Sequence, residues 1–234
     1  MGAIYRREIG AFFTSSIAYV FLAVFFIITG FFFTLGNVAS ASSNLSQVFT
    51  VMFIISILLI PILTMRLFSE EKKQKTEQGL LTAPVSLTSI VLGKYFAALT
   101  IFLIAVSIAL IYGFILSIFG TVAWMTLLSN CLAMILVGAA FIAVGLFVSS
   151  LTENQIAAAV GGIVFLLLFF LIDLLASFIR VPWIQSVLYE LSFYSRYYEF
   201  TCGIFNLSSV LFYLSTAVLF NFFTVRVFEK RRWS

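Results

Sequence analysis

"RLFSEEKKQKTEQGLLTAPVSLTSIVLGKY", residues Arg66–Tyr95, carries six charges in the eight positions Glu70–Glu77, in a chain whose charged residues amount to 9%. It is preceded by VMFIISILLIPILTM and followed by FAALTIFLIAVSIALIYGFILSIF. A helix needs roughly 20 apolar residues to cross a hydrocarbon core of about 30 Å. The charged stretch therefore reads as a loop outside the membrane that joins two spans. A mere connection takes about four residues, whereas this stretch has the makings of its own helix. Ser69 stands where a cap begins it, Glu71 and Lys75 have the favourable i,i+4 order, Lys73 and Glu77 add a second pair, and Gly79 ends it. Leu80 and Leu81 form an apolar ledge behind the charges. Pro84 then breaks the chain, Ser86 or Thr88 caps the next helix, and Lys94 marks re-entry into the membrane.

The rest of the sequence has the same character. It is 63% hydrophobic, with a mean hydropathy of +1.18 and 29 Phe in 234 residues, which no water-exposed surface tolerates. Six apolar runs are long enough to span: Ile17–Leu35, Val48–Met65, Tyr95–Phe119, Val122–Ser149, Ile156–Ile179 and Ser208–Val225. Apolar residues run on without alternating, so they predict helices and not barrel strands. Lys and Arg stay on the cytoplasmic side of a membrane. With both termini inside, 11 of the 13 fall there, leaving Arg180 and Arg196 outside. The expectation is an all-α integral membrane protein, N-in and C-in, forming a single domain over 1–234. Arg6, Arg7, the first apolar run and Ala39–Ala41 mimic a signal peptide, but Ile17–Leu35 exceeds the usual h-region of about 7–15 residues, so the span is expected to be retained.

Residues 1–16 place Ile4, Ile9, Phe12 and Phe13 against Arg6, Arg7 and Glu8, the pattern of an amphipathic helix lying in the inner interface. Pro61 is expected to kink the second span. Gly138, Ala139, Ala143 and Gly145 in the fourth span, and Ala157, Ala158, Gly161 and Gly162 in the fifth, permit close helix approach, within one chain or between chains. Thr152 and Gln155 match a capping box with Glu153 in the first turn of the fifth span. Residues 180–207 are aromatic and half-apolar, too broken to span, and predict short helices at the outer interface. Trp233 closes a basic tail at the inner headgroups.

Enzyme chemistry fails on inventory. The chain has no His, so no Ser-His pair and no His-ligated metal, and Cys131 and Cys202 fall at different depths. Asp173 is the one Asp, which excludes an aspartyl dyad, and no P-loop motif for ATP occurs. As the one acid well inside an apolar run, Asp173 is a candidate for the substrate path, or a structural group paired with Arg180.

Arg66–Tyr95 also resembles the cytoplasmic loop of ABC-2 type permeases, in particular the branch related to gliding-motility permeases, and the likeness extends through "SSLTENQIAAA" and the region Leu191–Leu207. Lys75 stands where that pattern has glycine, while Thr76 and Glu77 match. The resemblance implies an ABC-2, type V exporter-like fold, with residues 1–16 as its connecting helix and the region before the last span as re-entrant outer helices. It implies residues 66–94 as the coupling loop, with Glu70, Glu71, Lys72, Glu77, Leu80 and Leu81 against an ATPase. It further implies a non-catalytic permease half of an ATP-driven exporter in a bacterial inner membrane. Its partners would be separate ATPase subunits holding the ATP and Mg, a second permease, identical or not, and membrane lipid; no nucleic acid is expected. The many Phe suit an amphipathic or lipid-like cargo. A stand-alone channel or ion-driven carrier and a non-transporting anchor or sensor subunit remain alternatives.

Overall fold

The computed structural model describes residues 1–76, 85–179 and 181–233. Among them the regular structure is helical: α1 (Gly2–Thr14), α2 (Ser16–Phe33, continued by a π-helical turn Thr34–Val38), α3 (Ser46–Thr64), α4 (Arg66–Lys73), α5 (Leu87–Phe119), α6 (Trp124–Leu151), α7 (Gln155–Phe178), α8 (Pro182–Leu191), α9 (Phe193–Thr201) and α10 (Leu207–Trp233). Each apolar run of the sequence has become a helix long and apolar enough to cross a membrane, and the described residues hold six such helices. The second runs on past Met65, through α4, to Lys73.

α6 is the axis. Burial reaches 72% in its most apolar stretch against 17% in that of α7, because α3, α5, α7, α9 and α10 all pack on α6. Small residues let them come close. A Cβ on Gly138 would lie 2.0 Å from the Phe102 ring of α5, one on Gly145 2.2 Å from Thr64 Oγ1 of α3, and one on Gly162 2.9 Å from Pro61. These glycines are thus used inside the chain, for helix packing of the small-residue kind. Pro61 stays within α3, where Thr64 Oγ1 donates to the carbonyls of Ile60 and Pro61.

The basic segments gather at one end of the bundle. Lys72 pairs with Glu153 at 3.2 Å, Phe68 meets Phe228 with ring centroids 4.7 Å apart, and Arg231 donates to the Ser150 carbonyl. At the opposite end α8 and α9 are the two short helices expected before the last span. α9 sinks its aromatic face into the bundle, where the fully buried Tyr197 donates to the Phe49 carbonyl at 2.9 Å and Tyr213 donates to the Phe193 carbonyl at 2.7 Å. A buried phenol needs such a partner, and a backbone carbonyl supplies it.

Two caps differ from expectation. Ser69 does not begin a helix, since Met65 keeps helical angles and α4 grows out of α3; the buried Ser69 hydroxyl instead donates back to the Met65 carbonyl. α7 is capped by Asn154, whose Oδ1 accepts from Ile156 N at 2.9 Å, and not by Thr152 and Gln155. Thr152 Oγ1 accepts from Asn154 N, and Glu153 precedes the helix, where it meets Lys72.

Candidate coupling site at the basic end

Lys94, in the second turn of α5, has a side chain only 1% exposed. A buried ammonium is tolerable only with acceptors for its protons, and three surround it. Its Nζ lies 2.8 Å from Glu71 Oε1 on α4, 3.1 Å from Glu8 Oε1 on α1 and 2.7 Å from the Leu67 carbonyl. The Phe68 ring covers it, with the centroid at 5.2 Å. Arg7 closes the circuit from the solvent side, at 2.6 Å from Glu8 and 2.8 Å from Glu71. One cation thus fastens three elements that are far apart in sequence.

Both groups on α1 respond to this setting. Burial pushes the Glu8 carboxyl up, but the charges and hydrogen bonds of Lys94 and Arg7 outweigh it and hold Glu8 below the usual carboxylate range. The hydrogen bond to Glu8, with help from Glu71, raises the Arg7 guanidinium against the opposing effect of its burial.

A hydroxyl ties α4 to the axis. Ser149 Oγ on α6 donates to the Met65 carbonyl at 2.8 Å and accepts from Phe68 N and Ser69 N, both at 3.3 Å. The joint between α3 and α4 is therefore pinned at the backbone.

α4 ends in a Schellman arrangement in which Lys75 N donates to Lys72 O at 3.1 Å and Thr76 N to Glu71 O at 3.0 Å. Lys75 holds φ at 57°, the left-handed region that favours glycine. This turn ends the helix before the expected Gly79, which lies outside the described residues. The expected Glu71–Lys75 pair gives way because Glu71 faces inward to Lys94. Glu70 stays on the outer side, 3.5 Å from Arg66 and accepting from Gln74, next to the exposed Lys73. Glu77, Leu80 and Leu81, and the pair of Lys73 with Glu77, also lie outside the described residues.

Asp173 belongs to the far end of the bundle. Its Oδ1 accepts from the hydroxyls of Ser192, at 3.1 Å, and Ser195, and Ser192 caps α9 by accepting from Ser195 N. The carboxylate also lines a hollow of about 340 Å³ with Ile54, Phe170, Tyr189 and Tyr194. Its suggested partner Arg180 lies outside the described residues. Cys131 is buried and Cys202 exposed, both as free thiols. Among the described residues no three His, Cys, Asp or Glu side chains gather as metal ligands would.

Reasoning from sequence missed Glu8 and Lys94 as partners. A lone acid four places before the amphipathic Phe12 and a lysine in the third span's first turns were the available signals, but only the fold brings them together.

A six-helix membrane bundle with a charged helix fastened beneath it defines a permease-like class of protein. The family model for ABC-2 family transporter proteins matches residues 12–228, and the chain belongs to that family. Permeases of the family generally pair with ABC ATPases. No curated protein matches the chain.

Proposed function

We propose that this chain is the permease half of an ATP-driven exporter, multi-pass in a bacterial inner membrane, with its basic end in the cytoplasm. It pairs with a second permease, identical or not, the two halves bind two separate ATPase subunits, and one of these docks on the loop that begins at α4. ATP and Mg are held by those subunits, and this chain is non-catalytic. The observation that carries the reading is the fastening of α4 by Lys94 and Ser149. A loop helix clamped to α1, α5 and α6 moves with them as a lever, so a push delivered at Glu70 and Lys73 reaches the spans without being lost in slack. The short helices α8 and α9 serve as the re-entrant outer elements, and Asp173 sits on the path of an amphipathic or lipid-like cargo.

The test is a mild-detergent purification of the complex from native membranes, with ATP hydrolysis assayed on what co-purifies. An ATPase at equal stoichiometry that is lost in Glu70→Lys, while insertion persists, supports docking at α4. Glu71 is left out of this test because it serves Lys94. An ATPase that remains bound to Glu70→Lys, Lys73→Glu sinks the docking site, and a chain that purifies alone and conducts in vesicles sinks the permease-half reading.

A further inference from the structure

A hollow of about 690 Å³ lies between α5, α6 and α10, away from the Lys94 circuit. Its walls are mainly apolar, with Val91 and Phe96 from α5, Leu136 and Ala139 from α6, and Val218 and Phe222 from α10, and with Asn221 set among them, its amide donating to the Ala217 carbonyl. Phe96, Val218 and Phe222 are 40%, 69% and 50% exposed, so the hollow is a groove open sideways, toward the hydrocarbon around the spans. From Leu214 to Phe222 its wall on α10 rises about 12 Å at ~1.5 Å per residue. Half of a 30 Å core is about 15 Å, so the apolar part is one leaflet deep.

At the basic end the apolar wall gives way to Thr88, Arg226 and Glu229. Arg226 and Glu229 pair at 2.6 Å, and the guanidinium lies 4.9 Å from the Phe222 ring, which keeps it against the groove. The mouth thus presents one cation and one anion side by side at headgroup depth. A phosphate fits Arg226, and an ammonium bearing N–H groups fits Glu229. An anionic headgroup would leave Glu229 facing like charge, and a quaternary ammonium has no N–H to donate to it.

From this we infer that the groove binds a phospholipid carrying both a phosphate and a primary ammonium, of the phosphatidylethanolamine type, taken from the leaflet at the basic end. The inference rests on membership of a membrane family and not on the docking of an ATPase.

The complex, with whatever subunits stay bound, is equilibrated with vesicles holding equal parts of phosphatidylethanolamine, phosphatidylglycerol and phosphatidylcholine, and retained lipid is read by native mass spectrometry. Wild type is expected to enrich phosphatidylethanolamine about fivefold, the effect of one well-placed charge at a membrane surface. Glu229→Gln should abolish the enrichment without lowering total lipid, and Val218→Trp, at an exposed wall position, should lower total lipid with an unchanged melting temperature. Lipid retained in proportion to the vesicles overturns the inference. So does a Val218→Trp variant, or Phe222→Trp if that one fails to fold, that holds as much lipid as wild type. Capture of a polypeptide by a photo-cross-linker at position 218 overturns it too, since a protein would then cover the groove.

Discussion

Lys94 shows why a single side chain at a membrane boundary deserves more than one reading. In sequence it is a basic residue at the foot of a span, which the positive-inside rule fully accounts for; its burial between Glu8 and Glu71 depends on α1 and α4 arriving from elsewhere in the chain. Lys94→Met should therefore destabilise the protein by about 3 kcal/mol, since it removes the buried cation between two carboxylates and leaves both to the half-exposed Arg7. A thermal melt in detergent reads the loss, and the swap Glu8→Lys with Lys94→Glu should recover part of it. Glu8 also sets a pH dependence. Its folded value lies below its unfolded one, so its contribution is complete above the ordinary carboxylate value of about 4.3 and disappears as pH falls through the depressed value. Hydrogen exchange of α1, corrected for intrinsic pH effects, should show α1 loosening in acid, and Glu8→Gln should already be loose at neutral pH. Lys75 is a different case, because the departure from glycine was visible in the sequence and its cost was not. Lys75→Gly should strengthen the end of α4 by about 1 kcal/mol through relief of the left-handed backbone, seen as slower exchange of the Thr76 amide.

Helices were legible and their joints were not. Each apolar run predicts its span because about 20 consecutive apolar residues have few alternatives in a bilayer. Ser69 and Thr152 mimic caps through local chemistry alone. Continuous packing of α3 and α4 on α6, pinned by Ser149, carries the helix through Ser69, and Asn154 is the better acceptor for the α7 amides. Asp173 joins two elements in the same way, since its carboxylate holds both serines that open α9. Asp173→Asn keeps an acceptor oxygen for those hydroxyls and removes only the charge. It should melt like wild type and lose transport if the charge serves the cargo, whereas Asp173→Leu should lower the melting temperature. Wild-type transport in a well-folded Asp173→Asn would confine Asp173 to the α9 joint.

The whole molecule is organised around α6, which sequence alone could not rank above α3, α5 or α7 because those spans are just as apolar. The small residues of α6 were the readable sign, and their partners Phe102 and Thr64 were not, since pairing of helices leaves no mark in hydropathy. Gly138→Ala forces a methyl group into the Phe102 ring and should cost about 1–3 kcal/mol by overpacking. Gly10→Ala on α1, where the space is open, should melt like wild type in the same assay. The helix that packs most extensively on α6 is α10, which also closes the basic end through Arg231 and Phe228. During synthesis the axis of the bundle thus emerges well before its principal neighbour. Until the chain has been translated past Leu151 to the end of α10 at Trp233, one flank of α6 faces lipid without its main neighbour, so an unfinished chain differs from a finished one by an open side on its axis.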